Sequence, residues 1–117
     1  MDYLMILNDA PYGTERTYNG LRLGLNLLSK SDGAHVTVFL MGDAVGSAKA
    51  GQQTPNGYYN VERMLKGILG RKGVVLLCGS CMDARGITEA EIVEGSRRST
   101  LDELTEKTAS ADKVLVF

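Results

Sequence analysis

Both cysteines of this chain lie in the segment 74–86, which reads VVLLCGSCMDARG. Cys78 and Cys81 have the spacing C-x-x-C and follow four apolar residues that are typical of a buried strand. Two thiols this close in a reducing compartment indicate redox, nucleophilic or metal chemistry rather than a structural disulfide. A zinc site would need two further ligands, and the single histidine, His35, is predicted at the opposite end of the sheet. We therefore expect no metal at these thiols.

Cys78 is the candidate nucleophile because it directly ends the apolar run. Gly79 leaves room for backbone amides to approach a ligand or a modified sulfur. A helical turn that begins at Ser80 or Cys81 would direct its free N–H groups at the preceding cysteine and favour a thiolate there. Arg85 would add a positive charge. In the alternative interpretation, Cys78 is an inert apolar residue and Cys81 has a structural or incidental role.

The composition is that of one globular domain, predicted to span residues 1–117, with 44% hydrophobic and 23% charged residues. The net charge of −1 gives no electrostatic reason to expect nucleic acid or an anionic membrane as a partner. The first residues contain no basic region, and no apolar run approaches the ~18 residues of a membrane span, so we expect a cytoplasmic protein. The glycine-rich loops have neither a Walker pattern nor G-x-G-x-x-G, so no cofactor is expected.

Short apolar runs alternate with segments of helical periodicity. The polar stretch 51–57 is predicted as a flexible loop, and 95–99 as a break in which Arg97 and Arg98 are solvated charges. Apolar strands that alternate with helices are typical of the α/β class. We predict a single small doubly wound parallel sheet with helices on both faces, right-handed crossovers and a strand order near 2-1-3-4. Strands are predicted at 3–7, 34–40, 74–77 and 113–117, helices at about 14–28, 58–70 and 100–109, and shorter helical turns at 44–50 and 88–91.

Ligands and reactive groups of such a sheet lie at the carboxyl ends of its strands, near the point where the strand order reverses. Three loops are predicted to meet there, one after each of the first three strands. Asp9 and Asp43 also have a plainer interpretation as turn-forming residues. The predicted pocket is lined by Asn8, Asp9 and Tyr12, then by Gly42 and Asp43, and then by Cys78, Gly79, Ser80 and Cys81.

Three stretches of the chain resemble the DsrE/DsrF-like sulfur-relay family: VTVFLMGDAV, ERMLKGILGRKGVVLLCGSCMDARGI and ADKVLVF. The resemblance covers nearly the whole chain. Its most specific part is a cysteine that ends the third strand and is followed by Arg-Gly, here Cys78 with Arg85 and Gly86. The resemblance implies a small doubly wound α/β sheet, assembly into trimers or hexamers, and a persulfide carried on Cys78.

Two functions from different classes follow. In the first, Cys78 holds sulfur as a persulfide between donor and acceptor proteins, with no metal or organic cofactor. Either the two thiols then point apart, or discharge of the persulfide by Cys81 is part of the function. In the second, the protein is a non-catalytic oligomeric subunit or a small-ligand binding module. Its pocket is then formed by Asn8, Tyr12, Asp43 and the loop 51–57.

A homo-oligomer, either a trimer or a hexamer, is expected on a second ground as well. Four large apolar residues lie in or beside the helix predicted at 58–70, and one helix cannot turn all of them inward. The leftover apolar surface would exceed what a monomer comfortably exposes. These residues are Tyr58, Tyr59, Met64 and Leu69.

Overall fold

Five parallel strands form one sheet in the order β4-β3-β2-β1-β5, and the computed structural model describes all 117 residues. The predicted fold class, a small parallel α/β sheet with helices on both faces, is confirmed. Four strands lie within one residue of their predicted bounds, and the fifth, β4, was not predicted. The strands are β1 (Asp2–Leu7), β2 (His35–Leu40), β3 (Val74–Cys78), β4 (Arg97–Ser99) and β5 (Lys113–Val116).

The two faces of the sheet are covered unequally. Alternate residues of a strand point to opposite faces, so Val38 packs into a cluster of 16 buried residues and its neighbour Phe39 into a cluster of four. The larger cluster lies under α1 and α2, and the smaller lies under α4, which contributes Leu104. The helices are α1 (Arg16–Lys30), α2 (Val61–Gly70), α3 (Gly79–Asp83) and α4 (Leu101–Ser110), with 3₁₀ helices at Gly42–Ala48 and Glu89–Glu91.

The order of the strands differs from the predicted 2-1-3-4. That order places the first strand between the second and the third, whereas β2 lies between β1 and β3 in the structure. The reason is that α1 and α2 pack on the same face, so successive right-handed crossovers advance the chain in one direction from β1 to β4. The direction reverses only after β4, where α4 crosses the other face to reach β5.

β4 is the strand that the sequence pattern did not predict. It pairs with β3 on one side only, with Arg98 opposite Leu77 and Ser99 opposite Cys78. An edge strand has one partner and need not be apolar, so its polar residues resemble a loop in the sequence. The two arginines are ion-paired rather than merely solvated. Arg97 binds the carboxylate of Glu103, with Nη1 and Oε1 2.8 Å apart.

Helix α1 lies close against β1 because two of its glycines face the strand. A Cβ atom at Gly20 would lie 2.6 Å from Leu7 Cδ2, and one at Gly24 would lie 3.1 Å from Met5 Sδ. A larger residue at either position would require these buried side chains to shift. None of the helices combines the length and the apolar composition that crossing a membrane requires.

Candidate functional site

Cys78 is the last residue of β3 and also the N-cap of α3, which begins at Gly79. Its sulfur accepts a hydrogen bond from the backbone N–H of Cys81 at 3.4 Å and lies 3.3 Å from the hydroxyl oxygen of Ser80. The helical turn expected after Cys78 is therefore present and directs its first amides at the sulfur. Free amides at a helix start and a nearby hydroxyl both favour a negatively charged sulfur.

The sulfurs of Cys78 and Cys81 are in direct contact, at a distance of 2.6 Å, and both cysteines are free and half-buried. Residues three apart in the first turn of a helix lie on the same side, so the C-x-x-C spacing brings the two thiols together. The sequence left open whether these thiols point apart. In the structure they point at each other.

The two thiols have pKa values shifted in opposite directions. Burial raises the pKa of Cys78, but hydrogen bonds from the Cys81 thiol, from the Ser80 hydroxyl and from both backbone amides outweigh it, so that this pKa lies below its usual value. Burial, together with the hydrogen bond to Cys78, raises the pKa of Cys81. A backbone amide of Gly42 and the charge of Arg85 oppose that rise without cancelling it. Cys78 is therefore the thiol of the pair that ionises more readily, and Cys81 keeps its proton to higher pH.

A cavity of about 450 Å³ opens beside Cys78 on the face that α4 covers. Volumes of ~300–1,000 Å³ are typical of small-ligand pockets. A larger groove of about 590 Å³ runs along α1, but it is more open to solvent and contains no thiol, so the smaller cavity is the candidate site. Its lining is mixed. It comprises residues Cys78 to Cys81, Arg98, Ser99 and Thr100 together with the apolar side chains of Phe39, Met41, Leu101 and Leu104.

Arg85 lies next to the thiols but is held by other groups. Its guanidinium binds the carboxylate of Asp43, with Nη2 and Oδ1 2.8 Å apart, and it donates to the carbonyl of Cys81 at 3.1 Å. The predicted residues Gly42, Asp43 and Arg85 therefore lie on the Cys81 side of the pair. There they link the end of α3 to the loop after β2.

The cationic residue in the cavity lining is Arg98, which the sequence pattern does not indicate as a site residue. A Cβ atom at Gly79 would lie 2.8 Å from the Arg98 Nε, so only glycine fits between them. Asp83 binds this guanidinium at 2.7 and 2.8 Å and raises the pKa of Arg98, and a charge on Cys78 raises it further. The only useful signal in the sequence is the Thr100 N-cap of α4, which places Arg98 just before a helix.

Three of the predicted pocket residues lie away from the thiols. The Asn8 amide donates to the carbonyl of Phe117 at 3.3 Å, and the Asp9 carboxylate accepts the hydroxyl of Thr14 at 2.9 Å. The Tyr12 hydroxyl donates to the Gln52 side chain in the loop predicted to be flexible. None of the three lines the cavity beside Cys78, because β2 separates the end of β1 from the end of β3. Asn8, Asp9 and Tyr12 thus lie outside the cavity, although a Cβ atom at Gly42 would lie only 3.4 Å from the carbonyl oxygen of Asn8.

The loop that Tyr12 contacts is tied down at its beginning. The buried carboxylate of Glu62 accepts the backbone N–H groups of Gly51 and Gln52, at 3.2 and 2.8 Å. Burial raises the pKa of Glu62, but these two bonds and the neighbouring Lys66 lower it more, so the carboxylate stays charged. The first two residues of the loop predicted to be flexible are therefore fixed by hydrogen bonds to a side chain of α2.

The fold and the site together define a class: a small parallel α/β protein with a contacting pair of free thiols at the carboxyl end of an inner strand. No group of three or more His, Cys, Asp or Glu side chains is arranged to hold a metal ion. The chain belongs to the DsrE/DsrF-like family, whose family model matches residues 1–117.

Relatives of the chain share both its sequence and its fold. The protein YchN of Escherichia coli (strain K12) is 40% identical over 114 residues, which cover 97% of each chain. The protein MJ0989 of Methanocaldococcus jannaschii is 35% identical over 117 residues, which cover 100% of each chain. The crystal structure of the E. coli ychN protein superposes with a TM-score of 0.94 at 38% identity, covering 100% of this chain and 99% of that one.

Proposed function

We propose that this protein is a sulfur carrier that holds sulfane sulfur on Cys78 as a persulfide and passes it to a thiol of a partner protein. The thiolate of Cys78 attacks the outer sulfur of a donor persulfide, a new S–S bond forms, and the donor leaves as a thiolate. In the second step an acceptor thiolate attacks the outer sulfur, and Cys78 leaves as a thiolate. Neither step requires a metal or an organic cofactor.

The observation that carries this proposal is the contrast between Cys78 and an ordinary buried cysteine. Its sulfur accepts an amide hydrogen bond, contacts a hydroxyl and faces a cavity, and its pKa is lowered. An inert core thiol has apolar surroundings and a raised pKa. Membership of the DsrE/DsrF-like family and the resemblance to its sulfur-relay pattern support the same chemistry. The proposal places the protein in the cytoplasm, where both thiols stay reduced.

A persulfide-loading experiment tests the proposal. The purified protein is incubated with cysteine persulfide, and its intact mass is measured before and after treatment with a reductant. We expect a reducible adduct of one sulfur atom on the wild type and on Cys81→Ser, and none on Cys78→Ser. Serine is a good N-cap, so the Cys78→Ser side chain can still accept the hydrogen bond from the Cys81 amide. The substitution should therefore lower the free energy of unfolding by less than ~1 kcal/mol.

The opposite pattern, with the adduct on Cys78→Ser and not on Cys81→Ser, would assign the carrier role to Cys81. Absence of the adduct from every variant would favour the second candidate function, a non-catalytic subunit or ligand-binding module. The observation that favours this second function is the apolar part of the cavity lining, which includes Phe39, Met41 and Leu104 and which sulfur transfer does not use. A persulfide adduct that depends on Cys78 would argue against the binding-module function.

A further inference from the structure

We infer that the site has a second activity, in which Cys81 displaces the sulfane sulfur from Cys78 as hydrogen sulfide and leaves the two cysteines joined as a disulfide. The inference rests on the proposed function, because it needs a persulfide on Cys78. It adds a reductive release of sulfur to the transfer of sulfur between proteins.

The contact between the two sulfurs is the main observation. Cys81 Sγ lies 2.6 Å from Cys78 Sγ, and α3 holds both residues in one turn. An acceptor thiol on another protein must first bind, whereas Cys81 is already beside the inner sulfur of the persulfide. Reactive groups held together in this way react as if at very high local concentration. A carrier built only for delivery to a partner would keep a second thiol out of reach.

The step balances without an external oxidant. The sulfur of Cys81 attacks the inner sulfur of the persulfide, which is Cys78 Sγ, and a bond between the two cysteine sulfurs forms. The bond between Cys78 Sγ and the outer sulfur breaks, and the outer sulfur leaves with the bonding electron pair. It takes up the proton that Cys81 gives up and departs as hydrogen sulfide. The sulfane sulfur is reduced by two electrons, and each cysteine sulfur is oxidised by one. A dithiol reductant then returns the disulfide to two thiols.

The surroundings of the pair suit this displacement. The leaving sulfur must point away from Cys81, and Cys78 lines a cavity of about 450 Å³ that has room for it. Arg98 also lines that cavity, and its positive charge favours an anionic leaving group. The Arg85 contact to the Cys81 carbonyl, at 3.1 Å, holds the attacking residue in its turn. The thiolate of Cys81 is the nucleophile, so its raised pKa opposes the step, whereas the charge of Arg85 lowers that pKa and favours the attack.

The test compares the fate of a preloaded adduct in the wild type and in Cys81→Ser. Each protein is loaded with cysteine persulfide, freed of donor by gel filtration, and followed by intact mass, sulfide assay and peptide mapping. In the wild type we expect the adduct to decay at a rate independent of protein concentration, with one sulfide released per Cys78–Cys81 disulfide formed. In Cys81→Ser we expect the adduct to persist at least ~10-fold longer with no sulfide released. Cys81→Ala is the matched control and should behave like Cys81→Ser, which excludes an effect of the new hydroxyl.

Two outcomes would overturn the inference and leave the proposed function standing. One is an adduct that decays equally fast in the wild type and in both Cys81 variants. The other is a decay that accelerates with protein concentration, since it would show transfer between molecules. Failure of Cys81→Ser and Cys81→Ala to load at all, with circular dichroism showing both folded, would overturn the proposed function itself.

Discussion

At the residue scale, Cys78 and Cys81 have the same side chain and share one turn, yet they are not chemically equivalent. Cys78 accepts hydrogen bonds from groups that stabilise a negative sulfur. Cys81 donates its thiol to that sulfur, and its pKa is raised by burial and by the charge it faces. One hydrogen bond thus lowers the pKa of the acceptor and raises that of the donor. Of the two thiols, Cys78 is therefore the one that loses its proton more readily.

This asymmetry predicts different rates of alkylation. Because its pKa is lowered, Cys78 stays a thiolate as the pH falls through the free-thiol value of ~8.5, whereas Cys81 is still protonated above it. Iodoacetamide should therefore modify Cys78 first, and its rate should fall off only at a lower pH. Peptide mass spectrometry across a pH series, with Cys81→Ser to remove the coupling, measures this. Equal rates with both midpoints near ~8.5 would contradict the asymmetry.

The sequence predicts part of this site and not the rest. Cys78 was identifiable because an apolar strand followed by a small polar turn is a local pattern, and local patterns are encoded by neighbouring residues. Arg98 was not identifiable, since it reaches the cavity only through the pairing of β4 with β3. Asn8 and Tyr12 were misplaced for the same reason: their distance from Cys78 depends on which strand lies between them.

At the element scale, the geometry of the cavity depends on how closely β4 approaches α3. Gly79 makes this approach possible, because a Cβ atom there would lie 2.8 Å from Arg98 Nε and 2.9 Å from the carbonyl oxygen of Ser99. The carbonyl belongs to the backbone of β4 and cannot rotate away. The pocket that contains Cys78 therefore keeps its shape only with glycine at the start of α3.

Gly79→Ala should destabilise the protein by about 1–3 kcal/mol, because the methyl group overpacks against β4. Gly70→Ala is the matched control. Gly70 is the last residue of α2, and a Cβ atom there would meet nothing within 4 Å. This control should be neutral or stabilising by up to ~1 kcal/mol, since alanine favours the helix. Urea denaturation measures both free energies of unfolding, and equal values for the two variants would disprove the role given to Gly79.

The elements differ in how well their sequences encode them. The inner strands β1, β2 and β3 are buried on both faces, so they appear as continuous apolar runs and were predicted within one residue. β4 has only one neighbour and two arginines, so its sequence does not differ from that of a loop. The strand order was not encoded locally at all. It follows from α1 and α2 sharing one face of the sheet, which a periodic pattern does not specify.

At the scale of the whole molecule, the face of the sheet that only α4 covers carries apolar side chains that are exposed to solvent. Leu101 is 69% exposed and Val116 is 63% exposed. Val114 also faces this side, because its partner Leu4 belongs to the cluster of four residues under α4.

The apolar residues around α2 give less support for assembly than the sequence predicted. Tyr59, Met64 and Leu69 pack against the main core, and Tyr58 alone is largely exposed.

We predict that the protein assembles into a trimer or a hexamer, because exposed apolar surface of this kind is normally buried between subunits. Leu101→Glu should shift the assembly toward monomer. It should not disturb the fold, since an acidic residue in the first turn of α4 suits the helix dipole. Gln53→Glu adds the same charge to an exposed loop and is the control. Analytical ultracentrifugation at micromolar concentration measures the masses, and a wild type that sediments only as 12.6 kDa would refute the prediction.

The pairing of β1 has a consequence for the order in which the chain folds. β1 lies between β2, which is made soon afterwards, and β5, which is made last. The Asp2 amide bonds the carboxylate of Asp112, 110 residues along the chain. On the ribosome, the earliest strand therefore waits, half paired, until residues 113–116 have emerged. The thiol-bearing strand β3 has both of its neighbours well before then. The cavity beside Cys78 also needs residues 98–104, so the site and the sheet are both completed by the last part of the chain to be synthesised.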